Sequence, residues 1–273
     1  MQKIFENLKM NPPLIHNITN YVTVNDCANV ILAAGGSPLM ADDIDEVEDI
    51  VSISGALYIN VGTLNKRTIE SMILAGEKAN KIGIPVVLDP VGMGASNLRN
   101  NTVNRLIESV SFSVIKGNMS EIKALYQTCQ NSGGVDAKDD DLVTSDTLVQ
   151  GIGFAEKTAR KFDSIIAVTG PIDIITDGKN TNTIHNGHPM MSKVTGTGCM
   201  TGSLIGTFCG ANPDRILDAT TTAVALMGLS GEKAHVKVTG TGEGTGSFRR
   251  YLIDQISLMG YESMKEGVHI EKY

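Results

Sequence analysis

The sequence lacks several features that would point to particular classes of protein. It has no tryptophan, and no segment approaches the roughly 18 consecutive apolar residues of a membrane-spanning helix. Basic residues are not in excess, because 23 Lys and Arg stand against 30 Asp and Glu, a formal net charge of -7. A nucleic-acid-binding protein needs a basic surface. We therefore expect a globular protein that binds neither membranes nor nucleic acids.

Cysteine is also scarce. The four cysteines, Cys27, Cys129, Cys199 and Cys209, never occur at Cys-x-x-Cys spacing, so neither a zinc site nor a thioredoxin-like motif is indicated. Residues 1–15 carry charges and prolines and lack the apolar run of a signal peptide. We expect a cytoplasmic protein with free thiols.

One stretch, residues 194–204, is rich in glycine and hydroxyl side chains, and apolar residues recur at helical spacing from Met200 onwards. This pattern predicts a tight loop that opens a helix near Thr197. Free N–H groups and the helix dipole make such an end an anion site, and Cys199 would lie in the first turn, which favours a reactive thiol. The stretch is either a loop that holds a transferring phosphate or a glycine-rich turn that needs small residues for close packing.

Strand and helix patterns alternate along the rest of the chain. Strands are predicted at 56–60, 84–88, 113–115 and 164–168, a hairpin at 172–184 that turns at 177–180, and helices at 22–34, 42–54, 65–81, 99–108, 121–127, 148–161, 213–232 and 247–259. The alternation predicts an α/β protein, with a mostly parallel sheet covered on both faces, in a single domain of residues 1–273.

Four regions are expected to lack regular structure over part or all of their length. Residues 130–146 are glycine-rich and then acidic without the spacing of a calcium-binding loop, which favours a solvated surface loop. His185 and His188 have no partner at metal-ligand spacing, so we expect loop residues and not ligands. The glycine-rich residues 239–246 are expected to form a loop, and the charged residues 262–273 are expected to be loose at their tip.

Polar side chains follow the predicted strands. Asp89 comes directly after the strand at 84–88, Lys116 ends the strand at 113–115, and Glu121 opens the next helix. Ligands bind at the carboxyl ends of the strands in open α/β sheets, so Asp89 is a candidate for a metal or phosphate site, or a cap of the following turn. Asn17, Asn20 and Asn25 either bind a polar heterocycle or cap helices and turns, and the residue types alone do not decide between these roles.

Taken together and in order, eight motifs resemble the hydroxyethylthiazole kinases of thiamine salvage, within the ribokinase-like fold. The resemblance spans roughly residues 10–260. The motifs lie at 16–20, 36–40, 60–64, 89–92, 117–121, 168–170, 194–199 and 246–249.

This resemblance implies a three-layer α/β/α ribokinase-like fold and ATP-dependent phosphorylation of the primary alcohol of 4-methyl-5-(2-hydroxyethyl)thiazole. It also implies Mg²⁺ as cofactor, ATP as co-substrate and a homotrimer with active sites at subunit interfaces. The residues it implies are Met40 and Gly196 against the thiazole with Asn20 nearby, Lys116 and Thr169 against ATP, and Asp89 and Glu121 around Mg²⁺ through water.

The expected catalytic segment is Gly196-Thr197-Gly198-Cys199, whose backbone N–H groups would face the charge that develops during phosphoryl transfer. Many ribokinase-like sugar kinases carry Asp, an obvious general base, where this chain has Cys199. We expect Cys199 to orient the alcohol and to assist proton removal only modestly. The alternative for Cys199 is a small buried hydrophobic residue.

Two other functions compete with this interpretation. A related kinase of a hydroxymethylpyrimidine is disfavoured by the segment from Asn17 to Met40. A non-catalytic sensor of thiazole or nucleotide is disfavoured by the joint presence of Asp89, Lys116, Glu121 and Cys199. A dinucleotide-binding dehydrogenase is excluded, because the glycines of 194–204 do not have the spacing of that fingerprint.

Overall fold

The structure is a computed structural model that describes residues 1–128 and 143–273. Most of the predicted surface loop 130–146 therefore lies outside the described residues, as does Cys129. Nine strands are found in the described part of the chain: β1 (Leu14–Ile18), β2 (Ser37–Leu39), β3 (Ala56–Asn60), β4 (Val86–Asp89), β5 (Val114–Asn118), β6 (Ile165–Thr169), β7 (Asp173–Thr176), β8 (Thr181–Ile184) and β9 (Ile270–Lys272).

These strands form one sheet in the order β2-β1-β3-β4-β5-β6-β7-β8-β9. Strands β1 to β6 are mutually parallel, and the pairs β6–β7, β7–β8 and β8–β9 are antiparallel. The prediction of a mostly parallel sheet with a late hairpin is confirmed. The carboxyl ends of the parallel strands lie at one edge, where open α/β sheets bind ligands.

Helices cover both faces of this sheet. In the described residues they are α1 (Gln2–Met10), α2 (Val24–Ala34), α3 (Val47–Ser52), α4 (Lys66–Ile82), α5 (Asn97–Ser109), α6 (Met119–Thr128), α7 (Leu148–Phe162), α8 (Thr197–Ala211), α9 (Ile216–Thr241), α10 (Thr245–Leu258) and α11 (Tyr261–Gly267), with a short 3₁₀ helix at Pro189–Lys193. None of these helices combines the length and the apolar character that crossing a bilayer requires.

The sheet separates two hydrophobic cores. Helices α1, α2, α8, α9 and α10 enclose one core, and helices α3 to α7 enclose the other. Strand β3 is buried along its whole length: the Tyr58 side chain points into the first core, while Leu57 and Ile59 point into the second. Successive side chains of a strand point to opposite faces, so a central strand with both faces covered is apolar throughout. The fold is a three-layer α/β/α arrangement.

Two predicted helices have different bounds in the structure. The acidic helix predicted at 42–54 is only Val47–Ser52, because the Asp43 carboxylate binds the Asp45 N–H and the Arg67 guanidinium, which holds this segment in a turn. Helix α9 continues to Thr241, past the predicted end at 232, and stops at Gly242 with φ +69°. The start of the expected glycine-rich loop 239–246 is therefore the last turn of a helix.

The tip of the charged segment 262–273 was expected to be loose, and this expectation was wrong. It forms α11 and then β9, which pairs with β8 and covers that edge of the sheet. Met264 is fully buried, and Asn186 donates its amide to the Gly267 carbonyl and accepts the His269 N–H at 2.7 Å. One buried methionine and these hydrogen bonds to Asn186 anchor the segment up to the charged tip.

Candidate active site

Helix α8 begins at the ligand-binding edge of the sheet, and its start requires glycine. Gly196 is the N-cap residue with φ +90°, a conformation that other residues rarely adopt. A Cβ atom on Gly196 would lie 2.6 Å from the Thr23 methyl group. No side chain of residues 1–128 or 143–273 caps the helix, so the N–H groups of its first turn are available to an anion.

Close packing is a second reason for glycine in this segment. A Cβ atom on Gly202 would lie 2.4 Å from the Tyr58 ring, which α8 touches where it crosses β3. The stretch 194–204 therefore combines both alternatives drawn from the sequence. It is a tight turn with free N–H groups, and it is also the start of a buried helix that packs through small residues.

Two cavities meet at the start of α8. The first, of about 380 Å³, is bordered by polar side chains that include Asn20, Asp89 and Cys199. The second, of about 780 Å³, extends past Pro171 towards α9 and is more apolar. The two cavities share three lining residues, Asn118, Thr169 and Gly198. This arrangement gives two ligands adjoining sites with the free helix terminus between them.

A buried ion pair forms the floor of the first cavity. The Lys116 ammonium lies 3.2 and 3.3 Å from the two oxygens of Asp89, and both side chains are almost completely buried. Burial lowers the pKa of Lys116, but the carboxylates of Asp89 and Glu121 outweigh it, so this pKa lies above its ordinary value. A Cβ on Gly198 would be 3.2 Å from the ammonium, so the positive charge lies beside the first turn of α8.

Asp89 is the most heavily hydrogen-bonded carboxylate of the site. Its Oδ2 accepts the Tyr58 hydroxyl at 2.9 Å and the Asn60 amide at 3.1 Å, besides the Lys116 ammonium. Burial raises the pKa of Asp89, and Lys116 opposes this effect. Asn60 and Asp89 are the last residues of the paired strands β3 and β4 and stand directly opposite each other. The sheet register therefore brings these two polar groups together.

Glu121 joins two loops at the same edge. Its Oε1 accepts the Gly92 N–H at 2.8 Å, and its Oε2 accepts the Asn118 N–H at 2.9 Å. Gly92 has φ +69°, which permits the turn after β4 to bring its N–H to the carboxylate. Glu121 is thus held at the cavity wall by backbone groups, and each carboxylate oxygen retains a lone pair.

Arg99 fixes the loops that follow β3 and β4. The guanidinium of this α5 residue donates to the carbonyls of Val61, Gly62 and Val91 at 2.5–2.8 Å. One side chain therefore connects the two loops that carry Asn60 and Asp89.

Asp173 is a buried carboxylate on the wall of the second cavity. It opens β7, and its Oδ1 accepts the Gly170 N–H at 2.9 Å, which closes the turn after β6. Burial raises its pKa to about 7, despite the hydrogen bond from Gly170 and the charge of Lys116. Asp173 therefore changes its charge near neutral pH.

The structure brings most of the predicted site residues to these two cavities. Met40, by contrast, lines neither cavity and is a half-buried residue beside β2 that packs against the first core. The residues that line them are Asn20, Asp89, Lys116, Glu121, Thr169, Gly196, Thr197, Gly198 and Cys199.

Four residues of the site were not predicted from the sequence: Tyr58, Asn60, Arg99 and Asp173. Asn60 stood within a quoted motif, and Asp173 opened the predicted hairpin, but neither position carried a signal beyond its residue type. Arg99 and Tyr58 act through contacts between elements that only the tertiary structure brings together.

The architecture is that of the ribokinase-like proteins. A solved ribokinase-like superfamily protein from Enterococcus faecalis superposes with a TM-score of 0.63 over 93% of this chain and 88% of that chain. At 12% sequence identity, this likeness supports the fold alone.

Sequence similarity defines the family within this class. The chain belongs to the hydroxyethylthiazole kinase family, whose model matches residues 5–262. A hydroxyethylthiazole kinase from Ruminiclostridium cellulolyticum is 52% identical over 270 residues, which are 99% of this chain and 96% of that protein. The solved hydroxyethylthiazole kinase protein from Pyrococcus horikoshii is 34% identical, with a TM-score of 0.87 and full coverage of both chains. The resemblance and the fold class expected from the sequence are confirmed.

Proposed function

We propose that this protein transfers the γ-phosphate of ATP to the primary alcohol of 4-methyl-5-(2-hydroxyethyl)thiazole, a reaction of thiamine salvage. The proposal rests on membership of the hydroxyethylthiazole kinase family. The single structural observation that carries it is the uncapped start of α8 between two adjoining cavities, with the Lys116 ammonium beside it.

In the proposed arrangement, the alcohol occupies the smaller polar cavity and the nucleotide occupies the larger one. Lys116 and Thr169 contact ATP, and Gly196 contacts the thiazole, with Asn20 nearby. Met40 lies outside both cavities, so its contact with the thiazole belongs to a site completed by a neighbouring subunit of a homotrimer. The whole of residues 1–273 acts as one kinase domain in the cytoplasm.

The transfer step forms a bond from the alcohol oxygen to the γ-phosphorus. The bond from phosphorus to the β,γ-bridging oxygen breaks, and ADP departs with that electron pair. The N–H groups from Gly196 to Cys199 stabilise the charge on the migrating group, and Lys116 stabilises charge on the phosphates. Cys199 orients the hydroxyl, whose proton is released, and gives modest help in its removal.

The donor set suits Mg²⁺. Asp89 and Glu121 offer two carboxylates on one cavity wall, and Mg²⁺ is commonly bound by one or two carboxylates together with waters and substrate phosphates. Asp89 and Glu121 would hold the ion through water. When bound, Mg²⁺ would neutralise charge on the phosphates.

A coupled assay of ADP formation tests the function. We expect ADP release with ATP, Mg²⁺ and the thiazole alcohol, and its loss when EDTA removes the metal. A hydroxymethylpyrimidine in place of the thiazole separates this function from that of a related kinase. Binding of the thiazole without ADP release would contradict the proposal and indicate a sensor. Light scattering of the purified protein tests the trimer separately.

A further inference from the structure

Two buried amides are directed at the sulfur of Cys199. The Nδ2 atoms of Asn20 and Asn60 each lie 3.3 Å from the Cys199 Sγ. The two asparagines are 4% and 1% exposed, so their amides must find partners within the protein. The chemical role of the sulfur depends on which end of each amide faces it.

The orientation of Asn60 is fixed by a backbone group. Its Oδ1 accepts the Gly62 N–H at 2.9 Å. A backbone N–H only donates, so the atom facing Gly62 must be the oxygen, and the NH₂ group must face the sulfur. The same NH₂ group lies 2.8 Å from the Tyr58 hydroxyl and 3.1 Å from Asp89 Oδ2, so one amide connects the sulfur to the buried carboxylate.

The orientation of Asn20 is fixed in the same way. Its Oδ1 accepts the Thr23 N–H at 3.1 Å and also the Thr23 hydroxyl at 3.1 Å. Its NH₂ group therefore faces Cys199, and it also donates to the Asn60 Oδ1 at 3.0 Å. The polar atoms of the Asn20 amide are all engaged within the protein, and each asparagine supports the orientation of the other.

We propose that Asn20 and Asn60 are positioning residues that hold the Cys199 sulfur as a hydrogen-bond acceptor at the wall of the smaller cavity. Two amide NH₂ groups face the sulfur from inside the protein, and the sulfur also lines the smaller cavity, where a donor of a ligand can reach it. This inference rests on the proposed function: the hydroxyl of the substrate donates its hydrogen bond to Cys199, and Asn20 acts through Cys199 instead of by contact with the thiazole.

A double-mutant cycle tests this role. Asn20→Asp keeps the oxygen that accepts from Thr23 and removes the NH₂ group that faces Cys199. Asn60→Ser removes the other NH₂ group and takes its place if Asn20→Asp does not fold. We expect kcat to fall by up to about tenfold, as for loss of one hydrogen bond, with KM for ATP unchanged. In a Cys199→Ala background, the same substitutions should change kcat by less than about twofold, because groups that act as a unit are not additive.

Asn17→Asp is the matched control. Asn17 is a buried asparagine of β1 that binds the Ile15 carbonyl and the Ser203 hydroxyl, and none of its hydrogen bonds reaches Cys199. Its effect on kcat should be equal in both backgrounds. Equal effects of Asn20→Asp or Asn60→Ser in both backgrounds would overturn the proposal.

Alkylation of the ligand-free protein tests the donors without any kinase activity. The Cys199 sulfur lines the smaller cavity and is held there by two amides, so loss of one amide donor should slow its modification by iodoacetamide about tenfold at fixed pH, as followed by peptide mass spectrometry. Asn17→Asp should leave this rate unchanged. If the thiazole alcohol yields no ADP, the proposed function is wrong, but the alkylation rate still tests whether Asn20 and Asn60 position Cys199. An unchanged rate in both Asn20→Asp and Asn60→Ser refutes it.

Discussion

Replacement of the buried carboxylate Asp173 by its amide should make the protein more stable, by an amount that grows as pH rises from about 4 to about 7. The pKa of Asp173 is raised from 3.8 to about 7, chiefly by burial. A carboxyl group whose pKa is higher in the folded state binds more protons there, so its contribution to stability is complete below about pH 4 and is lost as pH rises through 7. The amide of the Asp173→Asn variant does not ionise, so it would have no such loss, and its oxygen would still accept the Gly170 N–H.

The magnitude follows from the shift. About 3 pKa units at about 1.4 kcal/mol each give a penalty of at most about 4 kcal/mol above pH 8. For a chain of this size, that corresponds to a rise in Tm of at most about 8 °C in Asp173→Asn. Thermal unfolding of both proteins, followed by circular dichroism at pH 5 and pH 8.5, is the assay. We expect the full rise at pH 8.5 and roughly a third of it at pH 5, because the carboxyl of the unfolded chain already ionises above about pH 4.

Asp177→Asn in the turn after β7 is the matched control. Slight burial raises the pKa of Asp177, but hydrogen bonds from the N–H groups of Asn180 and Lys179 outweigh it, so this pKa is lowered. The effect of pH on stability therefore has the opposite sign. Ionised Asp177 stabilises the fold above its ordinary pKa, and this stabilisation is lost in acid. Asp177→Asn should therefore not raise Tm at pH 8.5. An equal Tm change at both pH values for Asp173→Asn would refute the reasoning.

The remaining predictions concern the site. Cys199→Ala should keep measurable turnover with a loss near the low end of about 10² to 10⁴-fold, whereas complete loss with intact substrate binding would contradict the modest role of the thiol. Arg99→Met should lower both kcat/KM and the unfolding temperature, since three carbonyls lose their donor. A normal kcat/KM would contradict the role of Arg99 in fixing the loops after β3 and β4. Gly202→Ala should destabilise by about 1–3 kcal/mol in urea titrations, because its methyl group meets the aromatic ring of β3. Lys116→Met should cost about 3–5 kcal/mol of stability by leaving Asp89 buried and unpaired, and isothermal titration should show weaker ATP binding.

Local sequence patterns predicted the elements that frame the site. The strands before Asn60, Asp89 and Thr169 are buried on both faces and therefore appear as continuous apolar runs. The start of α8 at Thr197 was predicted because glycine and hydroxyl residues give way there to helical spacing. These signals depend only on residues that are neighbours along the chain, so they can be detected without the tertiary structure.

Contacts between distant segments could not be predicted in this way. Asn20 and Asn60 are separated from Cys199 by 179 and 139 positions, and the orientation of their amides depends on two backbone N–H groups of the folded loops. The C-terminal β9 was missed because its charged residues form a strand only against β8. The site residues were expected from strand ends, from the glycine-rich stretch and from the resemblance, whereas the hydrogen bonds that orient them join segments far apart in the sequence.

The contact between Gly202 and the Tyr58 ring sets the height of α8 above the sheet. That height is the smallest the backbone allows, since the glycine presents only hydrogen to the ring. A larger residue at position 202 would move the first turn of α8 away from the sheet and widen the smaller cavity. Position 202 itself lies about one helical turn from the residues of the proposed transfer step. Substitution of Gly202 is therefore a way to make room for bulkier alcohols as acceptors. Each increase in the size of the side chain would also loosen the packing of the core beneath α8.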